Sequence, residues 1–129
     1  MPQDDIGLVQ SAYAAFRRKD IPAVLQLLDP EVELYQSPPV PWAGRYHGRA
    51  GAQQYFSKMA QAIDTVVEAD EFLDAGDRLV AVVHTCSTAR ATGRPFDVPA
   101  VHLFTLRDGK IARFEAYIDN PSMMRALEA

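Results

Sequence analysis

Three things are scarce in this sequence, and each scarcity argues against a class of protein. Cysteine occurs once, at Cys86, so no disulfide can form within the chain, as expected in a reducing cytoplasm. Lys and Arg number 13 against 17 acidic residues, and the net charge of -4 repels phosphate backbones and anionic membrane surfaces. No uninterrupted apolar run approaches the roughly 20 residues of a membrane-spanning helix, and the N-terminus is acidic, unlike a secretory signal. We therefore expect a cytoplasmic protein that binds neither nucleic acid nor membrane.

The sequence does have the composition of an ordinary folded domain. Of its 129 residues, 48% are hydrophobic, 23% charged and 9% aromatic, which is close to the average for globular proteins. A chain of this length buries a sizeable core without disulfides or a structural metal. We predict a single domain over residues 1–129 that needs no cofactor to fold.

The N-terminal segment has the periodicity of two helices. Apolar residues recur at steps of three and four from Ile6 to Phe16, which predicts a first amphipathic helix. Asp20 is a candidate N-cap for a second helix with Pro22 in its first turn. We expect this second helix to stop at Asp29, which precedes a proline.

A short strand, a loop and a third helix follow. Residues 31–35 alternate polar and apolar side chains, which predicts a strand. The prolines between residues 38 and 41 indicate a rigid loop that holds Trp42 and Tyr46, and such loops often form pocket rims. Helical spacing then returns over residues 48–64 and predicts the longest helix.

The second half of the chain changes to the periodicity of strands. Four runs rich in β-branched or aromatic residues are separated by three turns that contain glycine, which predicts an antiparallel meander. Helices followed by strands indicate an α+β domain in which three N-terminal helices pack on a curved antiparallel sheet. The four predicted strands are Val66–Leu73, Leu79–Ala89, Phe96–Leu106 and Ile111–Ile118.

Five short segments carry a resemblance to a known family. They are Tyr13–Asp20, Leu27–Val32, Tyr46–Arg49, Arg107–Ile111 and Tyr117–Asp119. Their order and spacing over nearly the whole chain resemble the SnoaL-like branch of the NTF2-like superfamily, the cone-shaped folds that include ketosteroid isomerases and polyketide cyclases. The resemblance implies one deep, mostly apolar pocket between the helices and the concave face of the sheet. Chemistry varies so widely in this superfamily that the fold alone does not identify a reaction.

The last hairpin determines which residues share a face of the sheet, because a slip of one residue exchanges the two faces. A two-residue turn at 108–109 places His102 opposite Glu115, whereas a turn with a bulge at Gly109 places it opposite Phe114. We prefer the second register because it leaves His102 as the only titratable group on an apolar face. That face comprises Ala100, His102, Phe104, Ala112, Phe114, Ala116 and Ile118.

His102 and Asp119 are the candidate catalytic residues. An imidazole titrates near neutral pH, so a pocket-facing His102 can exchange protons with a carbon acid or a carbonyl group. Polyketide cyclases use a carboxylate and a histidine on the last strands. The resemblance to them implies that Asp119 and His102 are the counterparts of that pair. The preferred register places the two residues on opposite faces, so structural roles stay open: a hydrogen-bonded core histidine, and a cap or turn brace before Asn120 and Pro121.

The paired aspartates of ketosteroid isomerases have no counterpart here. The resemblance places the base of that family at about Leu34 or Tyr35 and the protonated aspartate at about Ala100. Tyr13 lies within one residue of the family's tyrosine, but it also fits the core face of the first helix. We therefore do not expect an unmodified isomerase mechanism.

Aromatic residues and a second histidine complete the predicted site. The predicted substrate-binding residues are Tyr13, Tyr35, Trp42, Phe56, His84, Phe104 and Phe114. Core packing or loop anchoring is the alternative role for the aromatic ones, and the sequence leaves the face of His84 open. The histidines are far apart, with no carboxylate at a ligand-like spacing, so we expect neither a metal site nor a cofactor.

Two functions of different classes fit these observations. The first is a cofactor-independent isomerase, cyclase or dehydratase that acts on a small apolar or carbonyl-containing ligand by acid–base proton transfer. The second is a non-catalytic ligand-binding or dimeric assembly domain of the same superfamily. For both we predict a homodimer formed through the outer face of the sheet, which mixes apolar and charged groups. The residues of this outer face are Val101, Leu103, Arg113, Glu115 and Tyr117.

Overall fold

The elements follow the predicted order, with one strand and one helix added. The computed structural model describes residues 2–128, with side chains from residue 5 onward, so Met1 and Ala129, the ends of the predicted domain, lie outside the described residues. The elements are α1 (Pro2–Arg17), α2 (Ile21–Gln26), β1 (Leu28–Gln36), β2 (Gly44–His47), α3 (Gly48–Ala62), β3 (Ile63–Asp74), β4 (Leu79–Ala89), β5 (Pro95–Arg107), β6 (Lys110–Ile118) and α4 (Asn120–Leu127). No helix within the described range has the length and apolarity that crossing a membrane requires.

Local sequence explains where α2 begins and ends. The Asp20 side chain caps the helix by accepting a hydrogen bond from the Ala23 N–H at 3.2 Å. Pro22 fits the first turn, because the N–H that it lacks would have no helical partner there. The helix ends at Gln26, earlier than the predicted stop at Asp29, since the chain already enters β1 at residue 28.

The strands form a single sheet in the order β2-β1-β6-β5-β4-β3. Strands β3 to β6 make the predicted antiparallel meander, and β1 lies parallel to β6. The edge strand β2 pairs with β1 in a segment that the sequence analysis assigned to the proline-rich loop, so that assignment was wrong. With the helices on one side of the curved sheet, the architecture is of the predicted α+β class.

One face of the sheet is buried, and the other is partly exposed. Along β4, every second residue from Leu79 to Ala89 is buried, and those between them are half-buried. In β5 the same alternation places Ala100, His102 and Phe104 on the buried face. Helices α1 and α3 cover this face, so the apolar core lies between the helices and the sheet.

The hairpin between β5 and β6 combines features that the sequence analysis treated as alternatives. Residues 108–109 both have positive φ, 54° and 74°, as in a type I′ turn. A bulge in β6 then adds one residue, and His102 pairs with Ala116. Both predicted pairings were therefore wrong. The predicted grouping of faces is nevertheless retained, because the observed partner Ala116 lies two residues from Phe114, the partner in the preferred register. The exception is the bulge itself, where Ile111 rather than Ala112 is buried.

Candidate functional site

An apolar cavity lies between the helices and the buried face of the sheet. Its volume is about 100 Å³, comparable with cavities that admit a single aromatic ring. Most of its lining is aliphatic or aromatic, and no Asp, Glu, Lys or Arg lines it within the part of the chain that the structure describes. The polar residues in the lining are Tyr13, Gln36, Tyr55, Thr65, Thr85 and His102.

His102 is a buried histidine among aromatic rings. It is 5% exposed, and its ring centroid lies 4.8 Å from that of Phe114 in an edge-on arrangement. Burial lowers the pKa of His102 to about 3, because no charged partner compensates for the loss of water around an imidazolium. The side chain is therefore neutral at physiological pH.

Tyr13 on α1 is the hydrogen-bond partner of His102. Its Oη lies 2.8 Å from His102 Nδ1, and burial raises the pKa of this phenol, so Tyr13 keeps its proton. With the imidazole proton on Nε2, the phenol donates to Nδ1; with the proton on Nδ1, that N–H donates to the phenol oxygen. No other described residue is hydrogen-bonded to Nε2. The pair can thus present either a donor or an acceptor to a ligand.

Gln36 is a second buried polar group at the cavity, and the sequence analysis did not identify it. Its side chain is 2% exposed, and its Oε1 accepts a hydrogen bond from the Tyr55 hydroxyl at 2.9 Å. Its Nε2 is buried without a partner. A signal was present, because Gln36 continues the alternation of buried Val32 and Leu34 along β1, but the predicted strand stopped one residue too early.

The two threonines of the lining already have partners. Thr65 Oγ1 lies 2.6 Å from Ser87 Oγ, and Thr85 Oγ1 donates to the Val98 carbonyl at 3.3 Å. The Thr65 hydroxyl is thus satisfied by Ser87, and the Thr85 hydroxyl by the backbone. The lining residues that keep a polar side-chain atom without a described partner are therefore Gln36, His102 of the pair with Tyr13, and Trp42 with its indole N–H.

Five of the seven residues predicted to bind substrate line the cavity. They are Tyr13, Trp42, Phe56, Phe104 and Phe114. Trp42 is 2% exposed, so it forms part of the buried wall rather than a loop rim. Tyr46 anchors the loop, since its hydroxyl donates to the Trp42 carbonyl at 3.0 Å.

The other two residues predicted to bind substrate, Tyr35 and His84, are absent from the cavity lining. Tyr35 alternates with the cavity residues of β1, and its ring packs against Tyr117 at 5.8 Å with the Arg45 guanidinium 4.8 Å above it. His84 lies on the outer face of β4 and makes hydrogen bonds of 3.0 Å to Asp70 and to Glu68. The alternation of strands accounts for both positions.

Asp119, the predicted catalytic partner of His102, is a helix cap, which was the alternative role considered for it. It is the N-cap of α4, a helix that the sequence analysis did not predict, and it accepts hydrogen bonds from the Ser122 N–H at 3.1 Å and Ser122 Oγ at 2.7 Å. These bonds lower the pKa of its carboxyl. Asp119 does not line the cavity.

One group of side chains has the composition of a metal site, although we expected none. The ligand atoms of Glu68, His84 and Cys86 lie within 4.8 Å of one another on the outer face of β3 and β4. Both nitrogens of His84 are already hydrogen-bonded to carboxylates, and Glu68 also pairs with Arg17 at 3.3 Å. This network explains the cluster as ion pairing at a partly exposed surface.

Comparisons with known proteins agree with this architecture. A family model of the SnoaL-like domain matches residues 9–114. The uncharacterised protein Rv0034 of Mycobacterium tuberculosis is 28% identical over 120 residues, which cover 92% of this chain and 91% of that protein. An NTF2-like protein of unknown function from Burkholderia pseudomallei is 28% identical, with a TM-score of 0.90 and 98% of each chain covered. TerC, co-crystallised with polyporic acid, is 25% identical, with a TM-score of 0.90 over 98% of this chain and 99% of that chain.

Proposed function

Because the chain belongs to the SnoaL-like domain family of the NTF2-like superfamily, we propose that it is a cofactor-independent enzyme that transfers protons on a small carbonyl compound. The reaction classes that fit are isomerisation, cyclisation and dehydration. One observation carries the proposal: a buried, neutral His102 lines an apolar cavity with Nδ1 held by Tyr13 and Nε2 without a described partner. Asp119, as the cap of α4, takes no part in it.

In this proposal His102 Nε2 accepts a proton from the carbon next to the ligand's carbonyl group. The tautomer with its proton on Nδ1 leaves the Nε2 lone pair free, and the Tyr13 oxygen then accepts the hydrogen bond from Nδ1–H. Return of the proton to another ligand atom completes an isomerisation, and return to a departing hydroxyl completes a dehydration. Tyr13 orients the ring throughout.

The low pKa of His102 is compatible with this role. Burial keeps the imidazole neutral, so the lone pair is available at physiological pH, but the same burial makes an isolated imidazolium costly. Removal of the ligand's proton creates a negative charge on its carbonyl oxygen, and opposite charges attract strongly where water is excluded. The reaction step itself therefore supplies the counter-charge that the resting site lacks.

The comparison with TerC favours a small organic ligand for this chain as well. TerC was co-crystallised with polyporic acid and has the same fold over nearly its full length. The apolar lining of the present cavity and its few polar groups have the character of a small-molecule site.

The test is proton exchange on a simple ketone. We expect the protein to accelerate exchange of the benzylic protons of phenylacetone in deuterium oxide, measured by NMR. The variant His102→Gln should be slower by about 10²-fold or more, because the accepting nitrogen is gone. The matched control His47→Gln alters an exposed histidine paired with Glu31 and should exchange as the wild type does. Equal rates in His102→Gln and wild type, or no acceleration by either, would contradict the enzyme.

The absence of carboxylates in the described lining favours a second candidate, a ligand-binding protein without catalysis. Such a protein would bind phenylacetone without accelerating its exchange. The same experiment therefore separates the two functions when a binding titration accompanies it.

We further propose that the protein acts in the cytoplasm as a homodimer. The outer face of the sheet carries Tyr117, which is 41% exposed, beside Glu115, which pairs with Arg78 at 3.2 Å and Arg113 at 3.6 Å. Apolar and paired charged groups on one surface suit a two-fold interface.

A further inference from the structure

The hydrogen-bond donor Gln36 Nε2 has no acceptor within the described protein. Gln36 is almost completely buried and lines the cavity. An amide N–H withdrawn from water without a hydrogen bond destabilises a fold, so buried donors nearly always have an acceptor. Among the described residues, one further buried polar side-chain atom lacks a partner, Asn120 Oδ1, and it belongs to a residue outside this lining. Gln36 Nε2 is thus a donor at the cavity that no described protein group satisfies.

The orientation of the Gln36 amide is determined by Tyr55. The Tyr55 hydroxyl donates to Oε1, and burial raises the pKa of this phenol, so it remains a donor. Tyr55 itself is held between the rings of Tyr46 and Phe114, at 5.3 Å and 6.3 Å. With Oε1 occupied, the free end of the amide is the NH₂ group, which recognises acceptors only.

Strand register places this donor beside His102. Gln36 on β1 pairs with Ala116 on β6, and Ala116 pairs in turn with His102 on β5. The three residues form one row on the buried face, with the backbones of Gln36 and His102 about 10 Å apart, two strand spacings. Ala116 itself is buried and does not line the cavity, whereas Gln36 and His102 on either side of it do.

We propose that Gln36 holds the oxygen of a neutral, acceptor-bearing ligand that lies in the cavity with its reacting carbon toward His102. This inference rests on the proposed function for the role of His102, but the oxygen subsite does not depend on catalysis. It narrows the substrate class to small uncharged carbonyl compounds with an aromatic or other flat apolar part. A carboxylate is disfavoured, since no described cation lines the cavity to replace its hydration.

The subsite is tested by binding measured with three probes of one skeleton. Phenylacetone carries the carbonyl oxygen, methallylbenzene has a methylene group in its place, and phenylacetate carries a negative charge. The quantity of interest is the dissociation constant of methallylbenzene divided by that of phenylacetone. We expect Gln36→Leu to lower this ratio about fivefold or more, the effect of one hydrogen bond. Gln54→Leu, an exposed glutamine on α3, should leave it unchanged.

Two further measurements keep the test decisive if Gln36→Leu folds poorly. In the wild type, the side-chain amide protons of Gln36 should shift on addition of phenylacetone and not on addition of methallylbenzene. Ala12→Leu, at a buried alanine of α1 that lines the cavity, should weaken both probes together without changing their ratio, because it takes up cavity space.

Three results would overturn the subsite. They are an unchanged ratio in Gln36→Leu, as expected if a buried water is the partner of the amide; no binding of phenylacetone to the wild type; and phenylacetate binding more tightly than phenylacetone. If Gln36→Leu lowers the ratio as expected but the protein does not accelerate proton exchange, the subsite is retained and the enzyme is rejected. If the protein accelerates exchange but the ratio is unchanged, the enzyme is retained and the subsite is rejected.

Discussion

Two histidines on neighbouring strands have pKa values shifted in opposite directions, because they lie on opposite faces of one sheet. His102, on the covered face of β5, is surrounded by aromatic rings and bonded to Tyr13, and burial lowers its pKa to about 3. His84, on the outer face of β4, is bonded to Asp70 and Glu68, and these hydrogen bonds raise its pKa. The first histidine is a neutral hydrogen-bonding group, and the second is biased toward the charged form.

The protonation of a histidine in this sheet therefore depends on the face on which it lies. Removal from water without a counter-charge favours neutral imidazole, whereas nearby carboxylates at a solvated surface favour imidazolium. The covered face therefore suits reversible proton chemistry on an uncharged ligand. The outer face suits ion pairs, which contribute little stability when exposed.

The largest expected effect is acid destabilisation caused by His102. Its folded pKa of about 3 lies below the ordinary histidine value of 6.5, so the unfolded chain binds the proton more readily, and stability falls as pH drops from 6.5 toward 3. By about pH 5 the loss is about 2 kcal/mol relative to neutral pH. Urea unfolding at both pH values should show this loss in the wild type and a smaller one in His102→Gln. Equal losses in the two proteins would contradict a buried neutral histidine.

The next effect concerns the outer face as an interface between subunits. We expect sedimentation at micromolar concentration to show a dimer, and Tyr117→Lys to raise its dissociation constant by about tenfold or more, because an interfacial aromatic is replaced by a charge. Gln10→Lys adds the same charge at an exposed position of α1 and should leave the dimer intact. A wild-type species of only 14.3 kDa would reject the proposed homodimer.

The smallest effect, of opposite sign in pH, belongs to His84. Its raised folded pKa means that its ion pairs stabilise the fold below the unfolded value of 6.5, and this contribution is lost as pH rises through the folded pKa. His84→Gln should therefore lower the melting temperature slightly under mildly acidic conditions and leave it unchanged under alkaline ones. Added salt should reduce the difference. A loss of equal size at alkaline pH would indicate a role in packing instead.

Sequence periodicity was most successful where a pattern stayed within one strand. The alternation around His102 placed Ala100 and Phe104 on its face correctly, because successive side chains of a strand must point to opposite sides. The predicted pairing partner of His102 was wrong, because the register depends on a bulge in β6 that no residue type in the sequence indicated. The family resemblance pointed to the fold for the same reason: it used the order of local segments.

Several assignments failed where distant segments had to meet. The strand β2 forms because β1 offers it an edge, and its sequence alone looked like a loop around Tyr46. Asp119 was given a family role, but the helix that it caps was missed because Pro121 suggested a turn. Gln36 was overlooked because the predicted strand stopped at residue 35, and its alternation with Val32 and Leu34 was therefore not followed to its end.

The spacing of nearby residues was enough to predict the helix and strand periods, the α+β class and the face on which His102 lies. Which groups meet on each face became known from the folded chain. The contact of Tyr13 with His102 joins residues 89 positions apart, and the row of Gln36, Ala116 and His102 joins three strands, one of them parallel. Such contacts depend on strand order and register, which are set by packing across the whole sheet and not by any local pattern.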